Sequence, residues 1–129
     1  GMGVLAWLEV VLGDGVSGAR LSGEIALSNA ESIGGAVVAL FDQPGVGVVV
    51  DLTRVDYLDS AGVRLLFRVA QASERSGGSL RVVVPAASHV KRILDLADAE
   101  HAIQLDETDF AAVAATSRGT AQTPRAHGP

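Results

Sequence analysis

The first part of the chain alternates between apolar and polar residues. From Val16 to Ile25 this alternation has a period of two, which is typical of a half-buried strand. Residues 6–12 are mostly apolar and predict a strand before it. Gly13-Asp14-Gly15 favours a turn between the two, because glycine adopts positive φ at little cost. The pattern therefore predicts an opening hairpin.

The following segment changes to helical spacing. Its apolar positions lie at i, i+4, i+7 and i+8, and they are Ile33, Val37, Leu40 and Phe41. Ser28 or Asn29 can cap this helix, since both side chains accept hydrogen bonds from free backbone N–H groups. We predict that the helix ends near Pro44-Gly45.

A nearly continuous apolar run, Val46 to Leu52, predicts a strand that is buried on both faces. A polar turn follows. A serine, Ser60, then opens an amphipathic segment that reaches about Ser76, where Gly77-Gly78 is typical of a helix end.

The last third repeats the alternation of strand and helix. Leu80 to Val84 predicts a strand, Ser88 caps a helix, and residues 102–105 predict a short strand. The apolar positions of the Ser88 helix are Val90, Ile93, Leu94 and Ala97. A last helix is expected to begin near Asp106 or Thr108, with Phe110, Val113 and Ala114 on one side.

The element order is ββαβαβαβα. This order predicts an α/β fold with a mixed, mostly parallel sheet of about five strands and four main helices. We expect one domain over residues 1–117 and a disordered tail over residues 118–129, where no apolar pattern remains.

Composition narrows the choice of function. The net charge is −5 and aromatic residues make up 4%, which argues against nucleic acid as a direct ligand. The absence of cysteine excludes disulfides and thiolate chemistry. Neither a secretory signal nor an apolar run of roughly 20 residues is visible, so a cytoplasmic protein without membrane insertion is expected.

The helix after Ser60 carries two apolar rows. We assign one to the core: Val63, Leu66, Phe67 and Ala70. The second row consists of Leu65, Val69 and Ala72. It is either an exposed partner surface or is covered by the neighbouring helix. Arg64, Arg68, Gln71 and Arg75 form the solvated face, and an exposed second row would allow a weak dimer as well as a monomer.

Ser60 has a structural and a functional interpretation. A serine at a helix start is usually a cap. The same position tolerates added negative charge, because free N–H groups and the helix dipole favour anions. A catalytic role has little support, since the Gly-x-Ser-x-Gly elbow is absent. The order Asp95, Asp98, His101 after the serine does not by itself make a triad.

Metal binding has no complete ligand set in the sequence. Asp106, Glu107 and Asp109 are more simply explained as partners of a helix N-terminus. Asp98 and His101 are three positions apart, but no second histidine or cysteine accompanies them. We therefore expect neither a metal nor a cofactor.

Residues 48–63, Val-Val-Val-Asp-Leu-Thr-Arg-Val-Asp-Tyr-Leu-Asp-Ser-Ala-Gly-Val, closely resemble the signature of STAS domains, specifically bacterial anti-sigma factor antagonists. The resemblance extends to Leu21-Ser22-Gly23-Glu24-Ile25, to Gly77-Gly78-Ser79-Leu80 and to Val90-Lys91-Arg92-Ile93-Leu94. It covers roughly residues 6–115.

The resemblance implies partner switching without enzymatic activity. The unphosphorylated protein would bind an anti-sigma factor of the serine-kinase type, which would release the sigma factor. The kinase would phosphorylate Ser60 within the motif Asp59, Ala61, Gly62, and a phosphatase would reverse the step. We expect the partner surface to comprise Ala26, Leu27, Ser28, Asn29, Leu58, Arg64, Leu65, Arg68 and Val69.

One position departs from the pattern. The antagonists that this chain resembles commonly continue Gly-Glu-Leu-Asp in the second strand, and Ala26 stands in place of that aspartate. A second class of function therefore remains open, in which the chain is a STAS interaction subunit of a transporter or signalling assembly and is never phosphorylated. A small-ligand sensor is a third class, for which no residue marks a pocket.

Overall fold

The computed structural model describes the backbone of residues 7–13 and the whole of residues 16–107. The elements in chain order are β1 (Trp7–Gly13), β2 (Val16–Ile25), α1 (Ala30–Val38), β3 (Gly47–Leu58), α2 (Ser60–Ser76), β4 (Ser79–Val83), α3 (His89–Leu96), a 3₁₀ helix (Ala99–His101) and β5 (Gln104–Asp106). The turn at 14–15, the expected last helix from Thr108 and the expected tail lie outside the described residues.

The strands lie in the sheet in the order in which they occur in the chain, β1-β2-β3-β4-β5. β1 is antiparallel to β2, and the four strands from β2 to β5 are parallel to one another. Each helix connects two adjacent parallel strands, as the strand–helix alternation predicts. The expected α/β architecture is confirmed, and the described residues contain three α-helices.

One core joins the sheet to the helices. Alternate residues of the three central strands point into it, among them Leu21, Val50 and Val82. Ile33 and Val37 of α1, Leu66 and Val69 of α2, and Val90 and Leu94 of α3 pack against them. A smaller cluster, Val16, Val49 and Val83, is buried among intervening positions of the same strands, so β3 contributes apolar side chains to both clusters.

Three predicted boundaries are wrong, and the first two are those of β3 and α1. β3 continues six residues beyond Leu52, because Arg54 to Leu58 still pair with β2. α1 ends at Val38, well before Pro44. Tighter backbone bonds from Leu40 to Val37 and from Phe41 to Val38 replace its last turn.

The third boundary error concerns β5, which was predicted over residues 102–105. It begins at Gln104, and Asp106 lies in it rather than at a helix start. The Asp106 carboxylate accepts two hydrogen bonds from Arg81, from Nη2 at 2.9 Å and from Nε at 3.1 Å. The ion pair thus links this short strand to β4 in addition to the backbone pairing of the two strands.

Candidate functional site

Ser60 lies where the carboxyl ends of β2 and β3 meet the first turn of α2. Leu58 pairs with Ile25 across the two strands. The backbone N–H of Asp59 then donates to the carbonyl of Ile25 at 3.2 Å. Ser60 follows directly as the first helical residue, and its side chain is exposed. The serine hydroxyl therefore faces solvent at a fixed point of the fold.

Asp59, and not Ser60, caps α2. Its backbone is extended, and its Oδ1 accepts hydrogen bonds from the N–H groups of Ala61 at 2.9 Å and Gly62 at 3.1 Å. The interpretation of Ser60 as the cap is therefore wrong, since Asp59 already supplies the acceptor. Among the described residues, the Ser60 hydroxyl has no hydrogen-bond partner. It is available for chemistry that leaves the helix start intact.

The first turn of α2 lies very close to the strands. A Cβ atom at Gly62 would be 2.5 Å from Cδ1 of Leu58 and 3.0 Å from the carbonyl oxygen of Ile25. Ala61 is buried at the same turn. The small residues after Ser60 therefore fix how close α2 comes to the sheet.

The loop between β2 and α1 forms the other wall of the site. The side chain of Asn29 accepts from the N–H of Ala26 at 2.9 Å and donates to the carbonyl of Glu24 at 2.9 Å. Asn29 thus occupies the N-cap position of α1 without capping it by its side chain. The loop presents Leu27, 77% exposed, and Ser28 to solvent.

A cavity of about 230 Å³ lies between this loop, α1 and α2. Leu27 and Glu31 line one side, and Arg64 and Arg68 line the other. Arg64 and Arg68 are exposed. The expected partner residues of the loop and of the α2 solvated face are thus brought together beside Ser60.

The second apolar row of α2 (Leu65, Val69 and Ala72) is not exposed to solvent. Leu65 and Val69 are 4% and 0% exposed, and Ala72 is buried with them. α1 packs against α2 and covers this row, as the close approach of Leu65 to Gly34 shows. The interpretation of an exposed, adhesive row is therefore wrong. Leu58 is also buried, so it, Leu65 and Val69 support the site from within.

Sequence reasoning missed Tyr57. This side chain is 43% exposed and belongs to the end of β3, two residues before Asp59. It was read as part of a polar turn, although a lone aromatic residue among polar neighbours could have marked it. Leu27 and Tyr57 place exposed apolar surface on the loop and the strand that flank Ser60.

The Asp and His residues considered together for a catalytic triad or a metal site lie in α3 and in or beside the 3₁₀ helix that follows it. Nδ1 of His101 lies 2.9 Å from Oδ2 of Asp98, and Glu100 lies in the same exposed cluster. No hydrogen bond joins Ser60 to His101 within residues 16–107. Asp95 instead accepts from Nζ of Lys91 at 2.8 Å, and this bond raises the pKa of Lys91. The structure therefore does not assemble the Ser, His and Asp residues.

Comparison with known proteins identifies the family. The family model for "Mlab, STAS domain" matches residues 13–106. The chain belongs to the STAS domain family. The match spans β2 to β5 and includes the whole site around Ser60, which confirms the resemblance of residues 48–63.

Relatives of this STAS domain are named as antagonists of anti-sigma factors. The "Putative anti-sigma factor antagonist BtrV" of Bordetella bronchiseptica is 34% identical over 83 residues, which are 64% of this chain and 71% of that protein. An anti-sigma factor antagonist from Mycobacterium paratuberculosis has a crystal structure that superposes with a TM-score of 0.66 at 28% identity, over 86% of this chain and 93% of that one.

The fold is also that of the Bacillus cell fate determinant SpoIIAA in its phosphorylated form. Here the TM-score is 0.62 at 19% identity, over 84% of this chain and 96% of that chain. At this identity the likeness concerns the fold alone. Within residues 7–13 and 16–107 of the STAS domain, no helix combines the length and hydrophobicity of a membrane span.

Proposed function

We propose that this STAS domain is an anti-sigma factor antagonist whose binding is controlled by phosphorylation of Ser60. In its unphosphorylated form it binds an anti-sigma factor of the serine-kinase type and so releases a sigma factor. The observation that carries the proposal is the exposed Ser60 hydroxyl, which has no partner in residues 16–107 and follows a cap that it does not supply. The relatives named as antagonists support the class of partner.

The chemical step would be supplied by the partner and not by this domain. A bond forms between Oγ of Ser60 and the γ-phosphorus of ATP, the bond from that phosphorus to ADP breaks, and the kinase accepts the hydroxyl proton. A phosphatase hydrolyses the ester. The domain itself acts as a regulator and not as an enzyme.

The added phosphate changes the surface and not the fold. It places about 1.5 to 2 negative charges at Ser60 at neutral pH. Asp59 keeps its bonds to Ala61 and Gly62, so α2 begins at the same residue. A partner that covers Leu27 and Tyr57 would have to desolvate this charge, which is costly without a counter-ion. Phosphorylation is therefore expected to release the partner.

The test compares two phosphorylated forms of the protein. Phosphoserine is incorporated at Ser60 or, as a control of equal charge, at Ser79, an exposed residue at the opposite end of the parallel strands. Binding is measured by calorimetry to the anti-sigma factor that co-purifies with the Ser60→Ala variant from native cells. We expect phosphorylation at Ser60 to weaken binding by tenfold or more and phosphorylation at Ser79 to leave it unchanged. Equal affinity of the two forms would contradict the switch.

Ala26 favours a second candidate, in which the domain is an interaction subunit of a transporter or signalling assembly and Ser60 is never modified. The backbone of Ala26 is held by Asn29, and no carboxylate stands at this position of the loop. Phosphopeptide mass spectrometry on protein from native cells separates the two functions. A peptide containing phosphorylated Ser60 supports the switch, whereas its absence together with co-purified transporter components supports the subunit.

A further inference from the structure

Two of the backbone donors in the first turn of α2, the N–H groups of Ala61 and Gly62, already have a side-chain acceptor. Oδ1 of Asp59 takes the N–H groups of Ala61 and Gly62, and Oδ2 takes the N–H of Leu27. A phosphate on Ser60 would therefore lie beside a carboxylate that has filled the donors an anion normally uses at a helix start. Its stabilisation requires a positive side chain nearby.

Arg64 is placed to supply that charge. It lies four residues after Ser60 on α2, so the two side chains are neighbours on one helix face. Long side chains in helices lean toward the N-terminus, which directs Arg64 toward the turn that contains Ser60. Arg64 is exposed, and it has no ion pair with a residue in the described part of the chain. Its guanidinium can therefore move to a new partner without breaking an existing one.

Arg68 provides a contrast one turn further along. Its Nη1 lies 3.3 Å from the point where a Cβ of Gly34 would stand, so this guanidinium lies against α1. Both arginines line the same cavity, together with Glu31 of α1. Of the two, only Arg64 has the one-turn spacing from Ser60.

We propose that Arg64 is the internal counter-ion of phosphorylated Ser60 and forms a paired, charge-assisted contact with the phosphate. The inference rests on the proposed phosphorylation of Ser60. It adds a second consequence to that modification, because Arg64 is withdrawn from the partner surface when it binds the phosphate. The unphosphorylated domain offers an exposed arginine beside Leu27, and the phosphorylated domain offers an ion pair that still carries a net negative charge, because one arginine offsets only part of the phosphate charge.

The test needs neither the kinase nor the anti-sigma factor. Phosphoserine is incorporated at Ser60 during synthesis in three chains: wild type, Arg64→Gln and Arg68→Gln. The second ionisation of the phosphate is followed by ³¹P NMR as pH is varied. We expect the titration midpoint to lie higher in Arg64→Gln than in wild type by about half a unit to one unit, since a nearby cation favours the dianion.

Arg68→Gln is the matched control, with the same charge change on the same helix. Its midpoint is expected to equal that of the wild type. The proposal is overturned if Arg64→Gln leaves the midpoint unchanged, or if Arg68→Gln shifts it equally. Because phosphoserine is incorporated during synthesis, this result is independent of whether Ser60 is a natural kinase substrate. Failure of the proposed function would be seen separately, as the absence of a phosphopeptide containing Ser60 from native cells.

Discussion

The carboxylate of Asp59 accepts a hydrogen bond from the backbone N–H of Leu27 at 3.2 Å, across the gap between two loops. Its other oxygen holds the first turn of α2. One side chain thus fixes the most exposed apolar residue of the site and the helix that begins with Ser60. The geometry of the proposed partner surface therefore depends on this carboxylate.

Replacing Asp59 by alanine should therefore destabilise the fold. Three backbone N–H groups lose their acceptor, and we expect the free energy of unfolding to fall by about 1–2 kcal/mol. Urea denaturation measures this change. Asp56→Ala is the control, because the Asp56 side chain is exposed on β3 and forms no hydrogen bond with the described residues. An equal loss in both variants would contradict the capping role.

Replacing Gly62 by alanine should also destabilise the domain. The new methyl group would overlap Leu58, and Leu58 cannot withdraw because it is buried. We expect a loss of about 1–3 kcal/mol in thermal or urea unfolding. Gly35→Ala in α1 is the matched control, since nothing lies within 4 Å of its Cβ position. That variant should gain about 0.5–1 kcal/mol from helix propensity, and a loss there would contradict this account.

Substitutions of Leu65 and Leu27 should affect different properties. The first should lower stability, and the second should weaken binding. Leu65→Ala removes a buried side chain between α1 and α2, and a loss of about 2–4 kcal/mol is expected. Leu27→Ala removes an exposed side chain, so stability should change by less than about 0.5 kcal/mol. Calorimetry should nevertheless show weaker binding of Leu27→Ala to the anti-sigma factor. Unchanged affinity of this variant would remove Leu27 from the partner surface.

The pair of Arg81 and Asp106 should hold β5 in place. Asp106→Asn weakens two charge-assisted hydrogen bonds, and we expect a loss of about 1–3 kcal/mol. Hydrogen exchange of the β5 amides should accelerate with it. Glu107→Gln, an equal charge change at the exposed neighbouring residue, should leave both measurements unchanged. Similar exchange rates in the two variants would show that the pair does not hold the strand.

The local sequence pattern was sufficient to predict an element where the whole element lies in a single environment. The alternation in β2 and the Ser88 cap of α3 could be read directly, and the Ser88 hydroxyl indeed accepts from the N–H of Lys91. β3 was harder because its environment changes along its length. β4 pairs with it only as far as Asp51, whereas β2 pairs with it to Leu58. Beyond Asp51 the strand keeps Leu52, Val55 and Leu58 buried, but Thr53, Arg54 and Asp56 are exposed and resemble a turn in the sequence.

The faces of α2 could not be assigned from its own periodicity. The helix packs against both the sheet and α1, so each of its two apolar rows has a packing partner. Which row is more deeply buried depends on how closely the helices approach, and Gly34 opposite Leu65 allows a close contact. Ser60 could be located from its motif. Asp59 caps α2 in place of Ser60 because the backbone of Asp59 is extended, and the sequence does not specify this conformation.

The order of the strands also bears on how the chain acquires its structure. Every strand lies beside the strand that precedes it in the chain, so each pairing closes a loop containing a single connection. Each parallel pairing closes one crossover, which costs less chain entropy than a pairing between strands further apart in the sequence. The sheet can therefore grow outward from the first hairpin as synthesis proceeds. The residues of the proposed partner surface all lie between Ala26 and Val69, so they are synthesised before β4 and β5.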